Sequence, residues 1–177
     1  MDKTQERLER WIAAEGINFI DSDAEGAYIK RARRVADAVQ LKVPDRVPIE
    51  LVFGVFPALA NGYTAEDILF FEGENTSRLE VIRDIPKGKA VYHFERVDLR
   101  KAKEILGDTV CIRGNVPVSL LHTGKPDDVK AYVKNLIDIV GKDGGLIVDS
   151  GSIFDEAKHE NVKAMVDFTK EYGRYSS

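Results

Sequence analysis

Eight polar side chains sit at or near the ends of short apolar runs, and their types suit proton transfer or ligand binding. Glu72 and Glu74 follow Ile68-Leu69-Phe70-Phe71, while His93 and Glu95 lie within and just after Lys89-Ala90-Val91-Tyr92-His93-Phe94. Arg113 and Asn115 close Thr109-Val110-Cys111-Ile112, and Asp149 and Ser150 close Gly145-Leu146-Ile147-Val148. His93 and Glu95 are two apart on an expected strand and so share a face, where both could reach a ligand or cation together with Glu72. Imidazole and carboxylate are the usual acid–base groups. Glu72, His93, Glu95 and Asp149 are therefore the candidates for acid–base or metal-binding roles, and Arg113, Asn115 and Ser150 for holding substrate. No metal centre is assigned.

Each candidate also has a purely structural reading. His93 can pack against helices, with Glu95 solvated at a loop edge. Asn115 can bond its own backbone in a turn. Arg113 is a lone cation in an apolar strand, and its partner is either a substrate carboxylate or a neighbouring glutamate. The neighbour fits better, because buried charges are generally paired. Asp149 is a general base or a turn former. His122 and His159 read as solvated, and Cys111 as a small core residue. The run Lys30-Arg31-Ala32-Arg33-Arg34 would suit phosphate in isolation, but on an amphipathic helix it reads as a solvated face.

The elements that position these residues follow from pattern. Strands are expected at 49–53, 68–71, 89–94, 109–113 and 145–148, where short apolar runs meet glycine or polar stops. Helices are expected near 3–14, 24–40, 98–106, 126–140 and over the stretch with Val162, Met165, Val166 and Thr169 on one face, with a helical turn at 77–82. Strand–helix–strand–helix order implies parallel pairing through right-handed crossovers. One join is short: the 14 residues from Gly54 to Asp67 carry Pro57 and Gly62 and no sustained helical face. Five such strands are too few for a closed eight-stranded barrel, which typically takes about 250 residues.

With 177 residues, 44% hydrophobic and 32% charged, the chain suits one domain with one sizeable core. Its 26 Lys plus Arg against 30 Asp plus Glu, a net charge of -4, argue against a nucleic-acid partner. One cysteine excludes an internal disulfide framework and a multi-thiolate zinc site within one chain. With no long apolar run and no apolar leader after Met1-Asp2-Lys3, the expectation is a cytoplasmic protein without a membrane partner.

Several stretches resemble the uroporphyrinogen decarboxylase superfamily, which also contains corrinoid-linked methyltransferases. They are Pro44-Asp45-Arg46-Val47-Pro48, the run from Asp98 to Asp108, Gly114-Asn115-Val116-Pro117, Gly124-Lys125-Pro126-Asp127-Asp128-Val129, and Glu160-Asn161-Val162-Lys163-Ala164-Met165-Val166. The likeness is continuous from about Gly73 to Arg174, and residues 17–66 resemble the start of methyltransferase-like members. Because family members resemble complete barrels, the resemblance implies a family N-terminal part (1–67) joined near 64–69 to a family C-terminal half (68–177), a single domain without the central strands.

The resemblance also bears on chemistry. In the methyltransferases a His-x-Cys pair on one strand and a Cys after the last look like zinc ligands, and the matching positions here are Phe70, Glu72 and Gly151. In the decarboxylases an arginine-containing segment follows the first strand and Gly-His-Gly follows the last. Here those segments are Phe53-Gly54-Val55-Phe56-Pro57-Ala58 and Ser150-Gly151-Ser152. The expected fold is α/β, a partial TIM-type (β/α) barrel of about five parallel strands with outer helices and two N-terminal helices across one end. The implied function is action on a tetrapyrrole carboxylate or corrinoid-linked methyl transfer. The alternative is a non-catalytic remnant or binding module on the same scaffold. No cofactor is assigned, zinc or a corrinoid belonging only to methyl transfer. A small-molecule substrate is expected, together with a homodimer or a corrinoid protein as partner, because an uncovered inward apolar face and bare sheet edges favour association.

Overall fold

Short runs of β-branched and aromatic residues pair in chain order. In the computed structural model, which describes residues 3–49, 68–154 and 156–175, β1 (Ile68–Glu74), β2 (Val91–Arg96), β3 (Cys111–Val116) and β4 (Leu146–Ser150) form one parallel sheet ordered β1-β2-β3-β4. Parallel neighbours need crossovers. Those after β2 and β3 contain α3 (Leu99–Leu106), then α4 (Val118–Thr123) and α5 (Pro126–Val140), and α6 (His159–Tyr172) follows β4. Tyr92, Phe94, Ile112 and Val148 point into the core shared with Leu106, Val133, Leu136 and Met165 of these helices.

Alternation sends Val91, Cys111 and Ile147 to the opposite face. There they pack against Ala38 at the end of α2 (Ser22–Val39), with Val35, Val39 and Leu41 around them. Helix α1 (Lys3–Ile12) packs on α2 through Leu8 and Ile12 against Ala32 and Ala36. The end of α2 thus covers the N-terminal end of the sheet's inward face, while Phe70 on the same face beside His93 stays 47% exposed. Farther along the strands that face carries His93, Arg113 and Asp149, at 5%, 6% and 0% exposure.

Ile49 pairs parallel with Val148, and the Val148 amide donates to the Pro48 carbonyl at 2.9 Å. The segment at the start of the expected first strand therefore sits beside the last strand, as the first strand of a closed barrel does. The rest of that strand, the connection after it and the expected junction before Ile68 lie outside the described residues.

Boundaries differ where side chains intervene. The expected helical turn at 77–82 is one 3-10 turn, Thr76–Arg78. The Asn75 amide nitrogen lies 3.1, 3.2 and 2.9 Å from the carbonyl oxygens of Phe71, Glu72 and Gly73, fixing a tight turn instead. Strand β3 runs through Gly114-Asn115, whose peptide bond is cis, instead of stopping there. Gly114 has φ 110, and a Cβ there would lie 2.6 Å from the Phe94 carbonyl oxygen, so this glycine admits a close strand neighbour. His122 is on α4 and not in a solvated loop. Its Nε2 is buried, with no hydrogen-bond partner among the described residues. None of the described helices is long and apolar enough to cross a membrane.

Candidate functional site

In parallel barrels, ligands gather at the C-terminal ends of strands. Register decides which side chains meet there. His93 pairs with Arg113 and Arg113 with Ile147, while Asn115 pairs with Asp149. Four of the seven expected site residues, His93, Arg113, Asp149 and Ser150, consequently join in one buried network. The Arg113 Nε and a terminal guanidinium nitrogen each donate to Asp149 Oδ2 at 2.7 Å. The Ser150 amide donates to Asp149 Oδ1 at 2.7 Å. His93 Nε2 donates to the Ser150 carbonyl oxygen at 2.8 Å, and its ring lies 4.9 Å from that of Phe70. Arg113 thus has an aspartate partner from the adjacent strand, not a glutamate.

Burial pushes the His93 imidazole down to about 4, and the nearby Arg113 charge adds to this. The bond to Ser150 opposes it. The ring is neutral at pH 7. Because a carbonyl can only accept, Nε2 carries the proton and Nδ1 is the basic atom.

A groove of about 550 Å3 lies at the ends of β1, β2 and β3, lined by Glu74, Thr76, Glu95, Arg96, Asp98, Asn115 and Tyr132 among others and by none of the four network residues. It takes in two further expected residues, Glu95 and Asn115. Glu95 accepts from the Gly73 amide at 2.6 Å, which ties β2 to the end of β1. The Tyr132 hydroxyl lies 2.9 Å from Asn115 Oδ1 and 3.1 Å from its carbonyl oxygen, and burial pushes that hydroxyl's pKa up. Glu74 accepts from the Thr76 amide at 2.7 Å, and its bonds to Thr76 hold its carboxyl below the usual range. Three of the lining side chains named above are carboxylates and one is an arginine. Glu72 lies elsewhere, exposed on edge strand β1.

Tyr132 and Arg96 were not among the expected site residues. Tyr132 falls between Val129 and Val133 on the buried stripe of α5, so a hydroxyl at helical spacing in an apolar face was a legible signal. Arg96 ends its strand beyond the apolar run and carried no such signal.

The zinc implied by methyltransferase resemblance does not fit the residues present. Phe70 offers a ring packed on His93, and Glu72 is a single exposed carboxylate. At Gly151 a Cβ would lie 2.6 Å from the Glu95 carbonyl oxygen, which leaves no room for a ligand side chain. Among the described residues, no group of three or more His, Cys, Asp or Glu side chains could hold a metal ion.

Truncating either member of a buried ion pair strands the other charge. Arg113→Ala and Asp149→Ala are each expected to lower unfolding free energy by about 3–5 kcal/mol in urea titrations. Arg113→Met with Asp149→Leu should cost less than the sum of the two alanine variants. For His93, the unfolded imidazole titrates near 6.5 and the folded one near 4. Between these values the unfolded chain binds more protons, so stability should fall by about 3 kcal/mol as pH drops from 6.5 to 4. Urea midpoints of His93→Gln across that window should lack this component.

The family model described as uroporphyrinogen decarboxylase (URO-D) matches residues 50–172. Uroporphyrinogen decarboxylases of Chlorobium luteolum and Chlorobium phaeovibrioides are each 33% identical over 79 residues, covering 42% of this chain and 22% of their own length. A methyltransferase from Methanosarcina mazei superposes with a TM-score of 0.50 at 18% identity, covering 93% of this chain and 52% of that one. At that identity the likeness shows the fold. The chain spans about half the length of this solved structure. A match running through the parallel strands and their helices, on a barrel-type scaffold whose first segment returns to pair with its last strand, shows that the chain belongs to the uroporphyrinogen decarboxylase family.

Proposed function

We propose that the chain acts on a tetrapyrrole carboxylate by decarboxylation, with the substrate in the groove at the strand ends. The observation that carries this reading is the groove itself, which brings Glu95, Arg96, Asn115 and Tyr132 together at the ligand-binding end of a barrel of this family. Decarboxylation breaks a carbon–carbon bond, releases carbon dioxide and leaves an electron pair that must take up a proton. Arg96 and Asn115 would orient carboxylate and ring, and Glu95 would handle the proton. Glu72, exposed on β1 outside the groove's lining, would take no direct part. His93, Arg113, Asp149 and Ser150, none of which lines the groove, would hold the strand ends. Methyl transfer is the weaker reading, because the three positions that would hold zinc do not suit it.

The test is product analysis after incubation with a reduced, carboxylated tetrapyrrole. Turnover is expected, with Glu95→Gln slower by about a hundredfold. Tetrapyrrole binding without turnover would replace the enzyme with a binding module on the same scaffold, and absence of both would sink the reading.

We also propose that a second copy of the chain covers β1. Its outer edge has no strand partner among the described residues, and Leu69 and Phe70 are 37% and 47% exposed. Light scattering on a sizing column should give a discrete dimer, and Phe70→Lys a monomer. A wild-type monomer would refute this arrangement.

A further inference from the structure

The basic run on α2 is not wholly a solvated face. Arg34 is 7% exposed and donates from Nε and a terminal nitrogen to the two carboxylate oxygens of Asp45, at 2.5 and 2.7 Å. That pairing holds the Asp45 carboxyl below its usual range. It also consumes the one carboxylate among the described residues that line a cavity of about 520 Å3, whose charged walls are Lys30, Arg31, Arg34, Asp45, Arg46 and Arg174. Four cations remain there without a matching carboxylate on its wall.

The backbone holds two of them side by side. Arg46 and Arg174 are partners in an antiparallel bridge, flanked by the Val47 amide donating to the Gly173 carbonyl at 2.7 Å and Tyr175 to Asp45 at 3.4 Å. Like charges directly opposite each other repel. Burial and the charges of Arg34 and Arg174 push the Arg46 guanidinium below its usual range, against the opposing charge of Asp45. A chain of net charge -4 has thus gathered five cations and one carboxylate among the described residues that line one concave place.

The place is separate from the groove. Arg46 precedes the segment that pairs with β4, and Arg174 follows α6, which runs back to the N-terminal ends of the strands. The cavity therefore opens at the opposite end of the sheet. Guanidinium forks match phosphate oxygens bidentately. The volume suits a small molecule and not an extended polymer.

We propose that this cavity binds a small organic diphosphate through Arg31, Arg46 and Arg174, with Lys30 adding charge and the Arg34–Asp45 pair fixing the wall. Inorganic pyrophosphate is the probe, titrated calorimetrically and in thermal melts against citrate and a short single-stranded RNA at matched ionic strength. Pyrophosphate should bind and raise Tm. Arg31→Gln and Arg46→Gln should each weaken its binding by about tenfold or more, the usual loss for a charged hydrogen bond. Without ligand, Arg46→Gln should melt at the wild-type temperature or above, because one of two opposed charges is gone. The proposal is overturned by equal binding in wild type and both variants, by no binding to wild type, or by citrate or RNA binding as tightly as pyrophosphate. A lowered Tm of unliganded Arg46→Gln would also overturn it, since the cluster would then be a structural brace.

Discussion

The buried pair between Arg113 and Asp149 is the interaction on which the inward face of the sheet depends. In a closed barrel, side chains from facing strands fill the interior. Here the four described strands form one sheet with no described strands facing them, and the inward positions must be satisfied by their own neighbours or by added helices. At the N-terminal half of the sheet, the end of α2 supplies Ala38 against Val91, Cys111 and Ile147. At the C-terminal half, two opposite charges on adjacent strands neutralise each other with almost no solvent contact. The Asp149 carboxylate also accepts from the Ser150 amide, and the Ser150 carbonyl in turn holds His93. One charge pair thus orients residues on three strands.

This arrangement has a chemical consequence. A neutral imidazole with its Nε2 proton committed to a carbonyl keeps its basic atom for other partners. The Asp149 carboxylate is held by an arginine and an amide, so the carboxylate that the proposed reaction would use, Glu95, is in the groove. There Glu95 and Asn115 lie beside Arg96 and Tyr132. The close approach of Gly151 to the Glu95 carbonyl links the end of β4 to the end of β2. The same close contact leaves no room for a ligand side chain at position 151.

Much of the scaffold was legible because periodicity is local. Val129, Val133, Leu136, Ile137 and Val140 mark a helix in any context, and all five are buried. Asp98 was readable as a cap, and it accepts from the Arg100 and Lys101 amides. Less legible were features that depend on a distant partner. Glycine at 114 read as a strand stop, although it is there because the neighbouring strand comes close. Arg34 read as solvated, because nothing nearby in the chain announces that Asp45 will meet it. His122 read as a loop residue, because a six-residue helix between Pro117 and Gly124 is too short to show a period.

By itself, the order and types of residues determined the strand–helix alternation, the polar groups at strand ends and the likeness to one family, since each is written in spacings of a few residues. Only the tertiary structure decided how those groups were used. Strand pairing brought Arg113 within reach of Asp149 and His93 within reach of Ser150, and withdrew the ion pair from solvent. The antiparallel bridge placed Arg46 beside Arg174, although they are 128 positions apart in the chain. Charge and hydrogen-bond partners are chosen by distance in space, and that distance is fixed only when the sheet has formed and its helices have packed.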